Sequence, residues 1–234
     1  MIRIENLHKQ FGKLKVLDGV TFQVQSGGVV AVLGPNGSGK TTILKTILGM
    51  VLPDEGEACF QDKSILKQWD YRNDIGYLPQ IARFPENLTV QELIDMVKNI
   101  RSVEANEEAL IQRFGLTGSL NKKLSNLSGG TKQKVNIVLT FMFDSPLLIL
   151  DEPTAGLDPV SLIQLKQLIK EEREKGKSLL VTTHMMSLVE ELSDEIIFLL
   201  EGKIYFQGTV GQLLERTDQV NLEHAIAKIL ENHA

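Results

Sequence analysis

The sequence has one cysteine, Cys59, in 234 residues. A single thiol excludes an intramolecular disulfide and a cysteine-built metal cluster, and Cys59 reads as a small, half-buried strand residue. No apolar run approaches the roughly eighteen residues that a membrane-spanning helix needs. No secretory leader is expected either, because Met1-Ile2-Arg3-Ile4-Glu5 alternates apolar and polar as a strand does. Basic charge is not in excess: Lys and Arg number 25 against 30 Asp and Glu, a net charge of −5. No global field therefore draws the chain to nucleic acid or to an anionic membrane, and no nucleic-acid partner is expected. Together these absences point to a soluble, cytoplasmic protein. The hydrophobic share of 42% and charged share of 24% are those of an ordinary globular chain, long enough for one large core or a main domain with a lobe inserted.

What is present is organised around Gly34-Pro35-Asn36-Gly37-Ser38-Gly39-Lys40-Thr41-Thr42. The apolar run 29–33 ahead of it reads as a buried strand, and residues 43–48 behind it are apolar at helical spacing. Strand, glycine-rich turn and helix in that order turn G-x-x-x-x-G-K-[ST] into a phosphate site. The glycines let backbone N–H groups curl around a phosphate, and the helix N-terminus adds unpaired donors. Lys40 offers a mobile charge for the β- and γ-phosphates, and Thr41 a hydroxyl for Mg²⁺.

The rest of the chain adds polar residues at the ends of buried segments. Residues 1–33 read as a β-rich opening with Phe11 in its first turn, either stacking on a purine or filling the core of the β lobe. A strand over 75–78 ends at Pro79-Gln80, where Gln80 could reach a metal or an attacking water, or be a plain exposed glutamine. Thr89-Val90-Gln91-Glu92 has capping-box spacing and opens a helix to about Arg101, followed by a second over 105–114. The pattern stays helical from about 81 to 143, a helical insertion in an α/β domain. Ser128-Gly129-Gly130 precedes a helix over 131–143 and reads as an anion-binding terminus or as simple capping by Ser128. The run 147–150 ends in Asp151-Glu152, two carboxylates on opposite faces of a strand, suited to Mg²⁺ and to proton abstraction from water. A helix over 160–175 carries Lys166, Lys170, Glu171, Glu172 and Lys175 on what reads as a solvated face. A strand over 178–182 leads to Thr183-His184, a candidate γ-phosphate contact or a polar loop residue. A hairpin over 194–206 and two short helices in a tail over 208–234 complete the chain.

In sequence order, Gly34–Thr42, Gln80, Leu127–Gly130, Leu147–Glu152, Ala155–Asp158 and His184 resemble the nucleotide-binding domain of ABC transporters: its Walker A, Q-loop, signature, Walker B, D-loop and H-loop. The resemblance covers nearly all of residues 1–234. It implies an α/β fold, a P-loop NTPase core with an N-terminal antiparallel β subdomain and an inserted α-helical subdomain. It further implies ATP and Mg²⁺ as cofactors and a head-to-tail dimer, homomeric or of paired ATPase subunits, with two ATPs between Walker motifs of one chain and Ser128 and Gly130 of the other. Within it Glu152 is the general base, His184 positions the γ-phosphate, and Thr41, Gln80 and Asp151 attend to metal and water. Phe11 stacks on adenine, Val16 belongs to the same nucleotide-binding set, and Asp158 communicates across the interface. Three positions depart from the family pattern: Phe11 for Tyr, Thr131 for Gln and Lys134 for Arg.

The resemblance also implies a separate membrane permease that holds the protein at the inner face of the membrane, with Ile81, Phe84, Leu88 and Trp69 as docking candidates. Residues 183–191 and 198–204 resemble ATPases of ABC-2-type exporters, and among them those tied to copper handling and nitrous-oxide-reductase maturation. The additional C-terminal regulatory domain of some sugar importers is not expected. An assembly ATPase, as in iron–sulfur scaffold complexes, is the alternative; the Ser128 and Asp151-Glu152 motifs argue against a small P-loop kinase.

Overall fold

The computed structural model describes residues 1–101 and 103–233; Ser102 and Ala234, the last residue of the expected tail, lie outside the described residues. The first elements are β1 (Ile2–Phe11), β2 (Leu14–Val24), β3 (Gly28–Leu33), α1 (Lys40–Ile47), β4 (Glu55–Phe60), β5 (Lys63–Ser64) and β6 (Ile75–Leu78). Then come α2 (Val90–Arg101), α3 (Glu107–Arg113), α4 (Gly129–Phe141), β7 (Leu147–Asp151), α5 (Pro159–Glu174) and β8 (Ser178–Thr182). The chain closes with α6 (Met186–Leu192), β9 (Glu195–Leu200), β10 (Lys203–Gly208), α7 (Val210–Thr217) and α8 (Leu222–Glu231). Two compact units result, one of Met1–Tyr71 with Ser178–Ala234 and one of Arg72–Lys177.

In the first unit, β2, β1, β4 and β5 form an antiparallel sheet in that order. Bulges interrupt the pairing of β1 with β2, so the side-chain alternation is broken although Ile2, Ile4 and Leu7 are fully buried. Cys59, expected to be half-buried, is only 2% exposed, because β4 pairs along the middle of this sheet with β1 on one side and β5 on the other. A second set of strands has β3 parallel to both β8 and β9, with β10 antiparallel to β9. Strands β3 and β8 are buried almost without interruption, which is why they read as solid apolar runs. Helices α6, α7 and α8 close a core with these strands through Val189, Phe198, Phe206, Leu213, Leu222 and Ile229. Each such aliphatic or aromatic side chain taken from water contributes about 1.5–3 kcal/mol. Helix α6 is not expected from the sequence, because two turns are too short for periodicity to register.

In the second unit, β6 runs parallel to β7, with Ile75–Leu78 paired to Leu147–Leu150. Helix α2 opens on the expected capping box: Glu92 accepts from the Thr89 N–H at 2.7 Å, and the Thr89 hydroxyl accepts from the Glu92 N–H at 3.2 Å. The Thr89 N–H holds the Glu92 carboxyl below its usual range. The solvated face expected on α5 is corrected at Glu172, which is 4% exposed. A buried carboxylate persists only when paired, and Glu172 meets Lys175 at 2.6 Å and Lys177 at 2.5 Å. Burial works against the Lys177 ammonium, yet Asp144 and Glu172 together hold it above its usual range.

Candidate nucleotide site

Residues 34–39 form the turn between β3 and α1. Gly34 has φ +145°, and a Cβ there would lie 2.7 Å from Ser38 Oγ and closer still to the Leu199 carbonyl. Gly39 has φ +107°, and its Cβ would lie 2.7 Å from Leu17 Cδ2 and 3.0 Å from the Val16 carbonyl. Both positions require glycine on backbone and on space. Lys40 is 8% exposed, and its Nζ donates to the carbonyls of Gly34 at 2.7 Å and Pro35 at 3.0 Å. The loop is thus curled around its own ammonium. Ser38 Oγ is buried without a hydrogen-bond partner among the described residues. A buried hydroxyl awaiting a partner, a sequestered ammonium and a helix N-terminus together fit a nucleotide phosphate. Asn36, Gly37 and Thr41 are exposed around this turn, and Thr42 is half-buried.

In the same unit Phe11 is 49% exposed with Lys9 Nζ 5.3 Å from its ring centroid, so it does not fill the core of the β lobe. Val16 is half-buried. His184 is exposed two residues beyond β8, and the turn carrying it is set by the Met185 N–H donating to Thr183 Oγ1 at 3.0 Å.

In the second unit, Gln80 is exposed two residues past the end of β6. Asp151 ends β7 and is 5% exposed. Burial, and then the negative charge of Asp151, push the Tyr77 phenol up to about 12. Glu152 corrects the expected alternation of two successive strand residues. The strand stops at Asp151, and Glu152 turns the chain with φ +48°, the left-handed region that a residue with a side chain adopts only under constraint. In the first unit Thr41 carries a hydroxyl, and in the second Gln80 and Asp151 carry an amide oxygen and a carboxylate; each by itself is a hard oxygen donor of the type Mg²⁺ accepts.

Ser128 caps α4, its Oγ accepting from the Thr131 N–H at 3.2 Å and lying 2.8 Å from Thr131 Oγ1. The capping reading of Ser128 is therefore realised, and the Thr at 131 supplies the hydroxyl a Gln would lack. Gly129 is exposed, and a Cβ on it would meet open space. Gly130 is held against the next turn: a Cβ there would sit 2.7 Å from the Gly156 carbonyl. Asp158 caps α5 through the Ser161 N–H at 2.8 Å and pairs with Lys134 at 2.7 Å. Lys134 first, then Ser161, hold the Asp158 carboxyl far below the usual carboxylate range. Signature turn and D-loop are thus tied together inside one chain. The sequence reading missed that tie, and it missed the buried polar stripe of Gln133, Asn136 and Thr140 on α4. Polar residues at helical spacing among valines and isoleucines were the available signal.

Strand, phosphate turn and helix define a P-loop nucleotide-binding protein of the α/β class. The family model described as ABC transporter matches residues 17–155. The chain is 33% identical over 230 residues to the L-cystine import ATP-binding protein TcyN of Bacillus subtilis (strain 168), covering 93% of this chain and 89% of that one. It is 34% identical over 212 residues to the lantibiotic transport ATP-binding protein SrtF of Streptococcus pyogenes, covering 88% and 90%. Among solved structures, the ATP-binding subunit of an ABC transporter superposes with a TM-score of 0.91 at 28% identity, covering 98% of this chain and 99% of that one. An ATP-binding cassette in a dimeric post-hydrolysis state with ADP and Pi gives 0.81 at 27% identity, covering 89% and 98%.

The chain belongs to the ABC transporter family. It is the ATP-binding, ATP-hydrolysing cassette of such a transporter, with the expected α/β fold. Among the described residues no helix is long and apolar enough to cross a membrane.

Proposed function

We propose that two copies of this chain, or this chain and a paired ATPase subunit, close head to tail on two ATPs, and that closure and hydrolysis drive a separate membrane permease. The observation that carries this is the phosphate turn, a buried ammonium and an orphan hydroxyl wrapped by glycines that admit no side chain. In this reading Lys40 and the N–H groups of 34–42 hold the β- and γ-phosphates. Phe11 offers an exposed ring to adenine beside Val16, and the partner copy's Ser128–Gly130 turn caps the γ-phosphate. Glu152 takes a proton from the attacking water as the bond from the γ-phosphorus to the bridging oxygen breaks, and the electron pair leaves with ADP. His184 and Gln80 orient the γ-phosphate and the water. Thr41, Gln80 and Asp151 are the residues that would hold Mg²⁺, whose charge would offset that of the phosphates. Asp158, paired with Lys134 in its own chain, communicates across the interface between the two ATPase subunits.

The helical stretch 81–143 is the permease-facing lobe in this proposal. Ile81 there and Trp69 in the first unit, each 68% exposed, offer apolar surface to the permease at the inner membrane face. The likeness of residues 183–191 and 198–204 to ABC-2-type ATPases supports export as the direction and the copper-handling branch as the place to look for cargo.

The test is phosphate release from ATP by the purified protein with no acceptor added. The expected result is steady release with Mg²⁺ that stops on adding EDTA while ATP remains bound. ADP formed only when an acceptor is added, with the phosphoryl group on the acceptor and no free phosphate, would contradict the proposal and favour a kinase.

A further inference from the structure

We infer that Asn136, together with Gln133, is a positioning residue that holds Gln80 and Glu152 in register with the signature turn on the same helix; the inference rests on the composite-site reading above. Helix α4 buries apolar side chains, with Val135, Ile137 and Val138 fully enclosed. Yet Gln133, Asn136 and Thr140, at helical spacing on one stripe, are 6%, 3% and 4% exposed. Buried amides persist where they are bonded, and the partners here are specific. Asn136 Nδ2 donates to the Pro79 carbonyl at 3.1 Å, and Gln133 Nε2 donates to the Pro153 carbonyl at 3.0 Å. The two amides meet each other at 3.5 Å.

Those two carbonyls lie at telling places. The ladder between β6 and β7 ends at Leu78 and Leu150, so Pro79 and Pro153 lie beyond it and are bonded by side chains of α4 instead. Pro79 immediately precedes Gln80, and Pro153 immediately follows Glu152. One short relay therefore spans from the backbone beside the proposed water-orienting residue to the backbone beside the proposed base. The helix carrying this relay begins at the Ser128 cap. A helix moves as a rod, so a shift of its N-terminal turn against a partner's nucleotide displaces both carbonyls together. Thr140 sits farther along, its hydroxyl 3.1 Å from the Tyr77 carbonyl and 2.9 Å from the Asn136 carbonyl. Its hydroxyl bonds to those two carbonyls rather than to those of Pro79 or Pro153, which makes it the control.

The experiment compares Asn136→Ala with Thr140→Val in steady-state ATP hydrolysis, alongside ATP-dependent dimerisation with each change placed on the Glu152→Gln background. Removing the bond to the part-buried Pro79 carbonyl beside Gln80 is expected to lower kcat about tenfold for Asn136→Ala, with KM for ATP within about twofold. Dimers still form, and Thr140→Val loses comparable thermal stability but keeps kcat within about twofold. An unchanged kcat in Asn136→Ala, or equal loss in the two variants, overturns the positioning role and leaves the stripe as packing. If Asn136→Ala does not fold, Gln133→Ala reads the same relay through Pro153, with the same two outcomes. Failure of Glu152→Gln itself to dimerise with Asn136 intact would count against the composite site instead, so the two failures are distinguishable.

Discussion

Glu152→Gln is expected to slow ATP turnover by about a hundredfold to ten-thousandfold, the range in which a positioned general base contributes. ATP binding is expected to stay within about twofold of the native affinity, because the amide keeps the size and shape of the carboxyl while removing only its capacity to take a proton. The structural ground is the backbone. β7 delivers Asp151 buried at its end, and the chain then turns at Glu152 through a left-handed φ of +48°. A conformation of that kind costs about 1–3 kcal/mol and persists where surrounding structure holds it in place. The Gln133 bond to the Pro153 carbonyl is part of that hold. Single-turnover phosphate release and equilibrium nucleotide binding check the two halves separately. A variant that turns over at half the native rate would remove Glu152 from the chemistry.

Lys40→Ala is expected to weaken ATP binding about ten- to hundredfold, the loss of a charge-assisted contact worth about 1.5–3 kcal/mol. In this structure the ammonium is enclosed and bonded to the carbonyls of Gly34 and Pro35. It therefore holds the loop as well as the phosphate, and Lys40→Arg is not a neutral replacement: a planar guanidinium fills the same space with different geometry. Calorimetric titration with ATP in EDTA measures the affinity with Mg²⁺ excluded. Native affinity in Lys40→Ala would show that the phosphate turn is not where ATP binds.

How much of this was legible beforehand depended on whether the signal was local. The strand over Ile75–Leu78 was readable at both ends, because a proline follows it and the run is buried on both faces. The phosphate turn was readable because glycine spacing, lysine and flanking periodicity all fall within a few residues of one another. The first two strands were legible only as β-rich, since bulges break the alternation that would have delimited them. Helix α6 escaped because two turns hold too few residues for a period to show. Glu172 was misplaced on a solvated face because its lysine partners, three and five residues on, read as ordinary surface charge, and its burial shows only in the folded chain. The pairing of Lys134 with Asp158 and the Asn136 bond to Pro79 are contacts between distant segments of sequence. Residue identities suggested a capping serine and a D-loop aspartate; only the folded chain showed that both are engaged within their own subunit.

If the ATP site is composite, half of it is supplied by another copy. The measurement that tests it most directly is size-exclusion chromatography of Glu152→Gln with and without ATP, in parallel with the same variant carrying Ser128→Arg. The expected result is a shift to dimer on adding ATP to Glu152→Gln alone. The Ser128→Arg chain binds ATP equally well and remains a monomer, because its signature turn can no longer approach the partner's γ-phosphate. ATP-loaded Glu152→Gln that stays monomeric at high protein concentration, or a Ser128→Arg variant that dimerises as readily, would contradict it.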